Sequence, residues 1–159
     1  MGLLDSFWNA LRSDPELQGL ADEQNQAVVD ALVGTVFSDQ HMAPEEIKEF
    51  NRQLEKLPWR WAHDEAERER VITVARNRAD ALTDPAGARQ FVASLAERLT
   101  SATVREKVYR MCLAITFADK QVEPGEVSLL EGMRRAFGLP EPRAEEITAD
   151  VRRELKVPL

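Results

Sequence analysis

Apolar residues in this chain recur at three- and four-residue spacings along most of its length. Val28, Val29, Leu32, Val33, Val36 and Phe37 fall on one stripe of a helix, and so do Val71, Ile72, Ala75, Ala79 and Leu82. Phe91, Val92, Leu95, Ala96 and Leu99 form the cleanest stripe, and Val104, Val108, Met111, Cys112 and Ile115 form the next. Val127, Leu130, Met133 and Phe137, then Ile147, Val151 and Leu155, complete the series. Leu3, Leu4, Phe7, Trp8 and Leu11 predict a short amphipathic start that closes one end of the core. Thr83-Asp84-Pro85 reads as a helix start and Gly138 as a helix stop. Strand signals are missing, because no long β-branched alternation and no Asn-Gly or Asp-Gly turn occurs. The pattern predicts an all-α, compact bundle of seven to eight helices, with residues 1–159 forming a single domain.

The polar pattern refines this picture. Between Asp64 and Arg78, the acids Glu65, Glu67 and Glu69 alternate with Arg68, Arg70 and Arg76. Such mixing predicts the solvated face of a helix laced with exposed ion pairs, and the acids interrupt any basic docking surface. The whole chain is acidic, with a formal charge of −7, which disfavours nucleic acid as a partner. No apolar run approaches the roughly 18 residues of a membrane span, so at most peripheral membrane association is expected. Met1-Gly2-Leu3-Leu4-Asp5-Ser6 matches a myristoylation pattern, but the amphipathic helix accounts for the same residues. The one cysteine, Cys112, has no internal disulfide partner and fits a reducing compartment, so a cytoplasmic location is expected.

One segment occurs twice. Phe37-Ser38-Asp39-Gln40-His41-Met42-Ala43-Pro44-Glu45-Glu46-Ile47 matches Phe117-Ala118-Asp119-Lys120-Gln121-Val122-Glu123-Pro124-Gly125-Glu126-Val127 at a constant offset (119 − 39 = 80). Phe, Asp, Pro and Glu are identical, and Met42/Val122 and Ile47/Val127 are both apolar. Each copy follows an apolar helix and precedes an amphipathic one that ends near a Leu-Pro, Leu57-Pro58 or Leu139-Pro140. The repeat predicts a pseudo-duplicated helix–acidic loop–helix unit, with halves at about 22–58 and 102–140. Pro44 and Pro124 suit a first helical position, and Glu46 and Glu126 then sit in the first turn, where the macrodipole favours a carboxylate. Asp39 and Asp119 fall where a helix ends and the dipole disfavours an anion. A loop that turns back brings this Asp near the first-turn Glu, giving oxygen ligands for a hard cation.

At these residues the chain resembles the tellurite-resistance TerB family, including the TerB-like domain of some membrane-anchored DnaJ-type co-chaperones. The family pattern has an Asp preceded by Ala or Ser, then an apolar residue and a first-turn acid, once in each half. Ser38-Asp39 with Glu46, and Ala118-Asp119 with Glu126, are similar to it. The resemblance implies a compact all-α fold and a non-enzymatic role: divalent-metal binding at the acidic loops, in a tellurite- or stress-resistance assembly near the membrane. The Gly that usually follows the Asp is replaced by Gln40 and Lys120, and Lys120 sets a positive charge beside the second loop.

The candidate metal ligands are therefore Asp39, Glu46, Asp119 and Glu126, with Glu45 and Glu123 as auxiliaries, and the candidate cation is Ca, Mg, Mn or Zn. The alternative reading makes the same carboxylates helix-terminus devices. Neither loop carries the ligand series of an EF-hand. His41 lies inside the first loop, with Gln121 in its place in the second, and reads as a solvent-exposed histidine. His63 reads as surface or cap, and Cys112 as a buried small hydrophobe. Trp59 and Trp61, flanking Arg60, either plug a gap between helices or anchor a protein partner. Two isolated histidines, seven scattered glycines and a lone cysteine offer no catalytic triad, phosphate loop or zinc set. No enzyme is expected. The competing function is a metal-free interaction scaffold or co-chaperone-type adaptor.

Overall fold

Two helices stand at the centre of the protein in a computed structural model that describes residues 5–37, 44–118 and 124–155: α3 (Asp22–Phe37) and α7 (Ala102–Ala118). Every residue of α3 from Ala27 to Thr35 except Gly34 is a buried side chain. An α-helix apolar all round has to be enclosed on all sides, and α5, α6 and α7 enclose this one. Each fully buried Val or Leu here, such as Val28, Leu32 and Val33, contributes about 1.5–3 kcal/mol relative to exposure. α7 buries Val108, Met111, Cys112, Leu113 and Ile115 against α1, α3, α8 and α9.

The remaining helices are α1 (Asp5–Ser13), α2 (Pro15–Gln18), α4 (Pro44–Glu55), α5 (Glu65–Ala79), α6 (Pro85–Arg98), α8 (Pro124–Ala136) and α9 (Glu141–Leu155). Short 3-10 turns cover Arg60–His63 and Asp80–Thr83. The described residues thus form nine α-helices and no strand, which is the all-α fold that the periodicity predicts. The count exceeds seven to eight mainly because of α2, a single turn too short to show a period. Its local signals are nonetheless plain: Asp14 Oδ1 accepts from the N–H of Glu16 at 2.9 Å and of Leu17 at 3.3 Å, and Pro15 opens the turn.

Caps set several boundaries. Asp64 accepts from Glu67 N–H at 3.1 Å to start α5, and Asp84 from Ala86 N–H at 3.1 Å to start α6. Gly138 stops α8 with φ +71. Its N–H reaches Arg135 O at 3.1 Å and that of Leu139 reaches Arg134 O at 3.0 Å, the double bond of a Schellman end.

The two acidic segments occupy matching places among the helices. α3 ends at Phe37 and α7 at Ala118, 81 residues apart (118 − 37), and α4 and α8 open at Pro44 and Pro124, at the 80-residue offset (124 − 44). A third helix joins each pair. Gln26 Nε2 bonds Val71 O at 3.1 Å and Asp30 pairs with Arg78 at 2.6 Å, so contacts advance together along α3 and α5. Glu106 pairs with Arg143 and Arg110 with Asp150 at 3.4 Å, so they advance together along α7 and α9. In each case the third helix runs parallel to the first, with α4 or α8 as the return leg. The central helices touch at nearly corresponding positions: Cys112 Sγ lies 3.9 Å from Ala31 O, and 112 − 80 = 32.

Candidate functional site

The geometry around the acidic segments starts with helix ends. The C-terminus of α3 and the N-terminus of α4 flank residues 38–43, and the ends of α7 and α8 flank 119–123 in the same way. Each segment therefore follows a helix end whose last carbonyls have no partner within the helix and precedes one whose first N–H groups have none within theirs. Pro44 and Pro124 are the first residues of their helices, as their missing N–H favours. Glu45, Glu46 and Glu126 take first-turn positions in α4 and α8. Asp39, His41, Asp119 and Glu123 lie outside the described residues, as do the side chains of Glu45, Glu46 and Glu126. Among the described residues, no cluster of three His, Cys, Asp or Glu side chains is arranged to hold a metal.

What the structure does place is the framework that holds these helix ends. α3 is pinned by Asp30, which is fully buried. Its carboxylate accepts from Arg78 Nη1 at 2.6 Å, Arg98 Nη1 at 2.7 Å and Gln26 Nε2 at 2.9 Å. One side chain thus ties α3 to α5 and α6. At the position 80 residues on, the sign is reversed: Arg110 reaches Asp150 and Glu154 of α9, both at 3.4 Å. Within the two central helices, Thr35 Oγ1 donates to Ala31 O one turn back in α3 at 2.8 Å, and Thr116 Oγ1 to Cys112 O one turn back in α7 at 2.9 Å. Burial pushes the Cys112 thiol up to about 12, only partly offset by a hydrogen bond with Thr35.

α4 is held by Arg12 Nη1 donating to Gln53 Oε1 at 2.7 Å and by buried Leu54. α8 carries a surface cluster in which Glu131 accepts from Arg134 at 2.7 Å and Arg135 at 3.1 Å. The Arg134 hydrogen bond is the main reason Glu131 titrates far below the usual carboxylate range, at about 2.

Near the second acidic segment sits an arginine that the sequence reading did not single out. The Arg152 guanidinium of α9 lies over the ring of Phe117, 4.9 Å from its centroid. Its Nε is buried, and among the described residues no hydrogen-bond acceptor meets it. The neighbouring carboxylate, Asp150, is engaged by Arg110 and Arg153.

The tryptophans take the packing role. Trp59 and Trp61 are only 3% and 1% exposed, with ring centroids 5.6 Å apart. Trp59 Nε1 donates to Leu17 O at 3.2 Å and Trp61 Nε1 to Asn25 Oδ1 at 2.7 Å. Large apolar rings whose N–H groups find acceptors inside the protein belong in the core, so an exposed Trp-Arg-Trp anchor is not formed. Only Arg60 between them faces solvent, paired with Asp22. Arg68 corrects the expected solvated face of α5: it is buried, donating to Ala62 O at 2.7 Å and Asn51 Oδ1 at 2.6 Å. His63 is exposed at the end of its 3-10 turn. Asp30 could have been suspected from sequence as the one charge inside an apolar run from Ala27 to Val33, whereas Arg152 carried no such signal.

Among the described residues no helix is long and apolar enough to cross a membrane. Comparison with curated proteins and with solved structures gives no match. The family model described as "Tellurite resistance protein TerB" matches residues 27–149, a span that runs from α3 into α9 and contains both acidic segments with their flanking helices. The chain belongs to the TerB family of tellurite resistance proteins.

Proposed function

We propose that this protein is a non-enzymatic, metal-responsive binding module of a stress-resistance assembly, taking a divalent cation at its two acidic segments. The ligands are Asp39 and Glu46 in the first half and Asp119 and Glu126 in the second, with Glu45 and Glu123 as auxiliaries. The observation that carries this reading is the recurrence, 80 residues apart, of a helix end, an acidic segment and a proline-opened helix inside a TerB-family match. Carboxylates at such a junction suit a hard cation, which takes oxygen ligands from flexible loops. The buried, high-pKa thiol of Cys112 is a poor nucleophile, which supports a binding role over catalysis. The scaffold alternative drew on the Trp59–Trp61 linker or a helix groove, and both indole rings are buried, so the linker does not supply its surface.

The test is thermal unfolding in the presence of calcium, magnesium, manganese or zinc. A cation that binds only the folded protein, at a hundred times its Kd, adds about 2.7 kcal/mol. For a chain of this size, that raises Tm by about 5–11 °C. Asp39→Asn combined with Asp119→Asn should erase the shift. A flat response to all four metals, with no heat on titration, would overturn the proposal.

A further inference from the structure

Two arginines share one carboxylate oxygen on α3, and the charges there do not cancel. Arg78 of α5 and Arg98 of α6 each donate through Nη1 to Asp30 Oδ2, at 2.6 and 2.7 Å. The other oxygen, Oδ1, is given to the neutral amide of Gln26 at 2.9 Å. One acid thus holds two guanidiniums side by side and neutralises only one of them, although like charges at such range repel. Asp80 and Glu97 are close to these arginines in sequence, yet among the described residues each arginine pairs with Asp30 alone. Donors are left over. Arg98 gives Nε to Ser94 O at 3.2 Å, whereas Arg98 Nη2 and Arg78 Nε and Nη2 meet no acceptor among the described residues. Asp30 is fully buried while Arg78 is nearly half exposed, so solvent reaches the positive side of the cluster and not the negative one.

We infer that Arg78 and Arg98, held together by Asp30, form a binding site for a small oxyanion, a phosphate or carboxylate group that bridges α5 and α6. The planar donor fork of arginine matches the oxygens of both groups. Asp30 fixes the two forks in advance, which lowers the ordering cost of binding, and it leaves one positive charge for the ligand. The formal charge of −7 on the chain opposes an anion at long range, so binding has to come from these donors and not from a general field. The site is separate from the cation reading above and does not depend on it.

Titration calorimetry with sodium phosphate, and separately with sodium acetate, tests it at constant ionic strength without divalent cations. Wild type should give saturable heat with at least one of them, and the one that binds identifies the group. Arg78→Met leaves Asp30 with Arg98 and Gln26, so the variant should fold, as circular dichroism checks. Losing a hydrogen bond to a charged group should weaken its binding about tenfold or more. Arg60→Met removes the same charge from an exposed arginine paired with Asp22 and should bind as wild type does. No saturable heat from wild type with either anion overturns the inference. So does equal affinity in wild type and Arg78→Met, or an equal loss in Arg60→Met.

Discussion

Asp30→Ala is the perturbation with the largest consequence that the structure allows to be worked out. The Asp30 carboxylate has no exposure, Arg98 retains 10% of its side chain in solvent and Arg78 retains 45%. Removing the acid frees Arg78 to turn toward water, at a cost of about 0–1 kcal/mol as for other exposed pairs. Arg98 has no such escape. Its remaining bond to Ser94 O at 3.2 Å engages only Nε, and a buried charge stripped of its partner costs about 3–5 kcal/mol. That is a large part of the about 5–15 kcal/mol by which domains are stable. With about 2–4 °C of Tm per kcal/mol at this size, Tm should fall by about 6–20 °C. Urea unfolding monitored by circular dichroism measures the loss directly, with an unchanged m-value if the folded state is otherwise intact. Asp30→Ala with Arg98→Met should recover much of the loss, because the unpaired charge is gone. A loss below about 1 kcal/mol, or a double variant as unstable as the sum of its singles, would refute the role assigned to Asp30.

Three further outcomes follow from other parts of the structure. Trp61→Phe leaves the Asn25 side-chain oxygen without its 2.7 Å donor inside the core and should cost about 1–3 kcal/mol beyond the lost ring area. Trp59→Phe, at 3.2 Å from Leu17 O, should cost less, and an unchanged urea midpoint for both would contradict their burial. Glu131 is depressed from 4.5 to about 2 by Arg134, so its contribution is present above pH 4.5 and is lost as pH falls toward 2. Glu16, whose Lys107 hydrogen bond lowers it, and Glu106, lowered by Arg143, act in the same direction. Tm should therefore decline over that window, and Glu131→Gln should flatten the decline. A Glu131→Gln profile that tracks wild type would argue against it.

The helices were legible because their causes are local. Apolar spacing along Phe91–Leu99, the Asp84-Pro85 start and the Gly138 stop each act within a few residues, and the structure forms a helix boundary at each. The duplicated acidic segments were legible for a similar reason, since a repeat is a property of the string itself, and α4 and α8 open at the matched prolines. Tertiary packing decided the rest. Asp30 pairs with residues 48 and 68 positions away, and nothing at either end of those pairs marks the partner. Arg68 read as one more charge on a wet face until α4 and the Arg60–His63 turn closed over it. Trp59 and Trp61 allowed an exposed or a buried reading until α2 and α3 supplied acceptors for both indoles. Arg152 became informative only when α9 laid it on Phe117. Hydrogen bonds within a turn are fixed by spacing along the chain, whereas a charge is costly or harmless according to which helices exclude water from it.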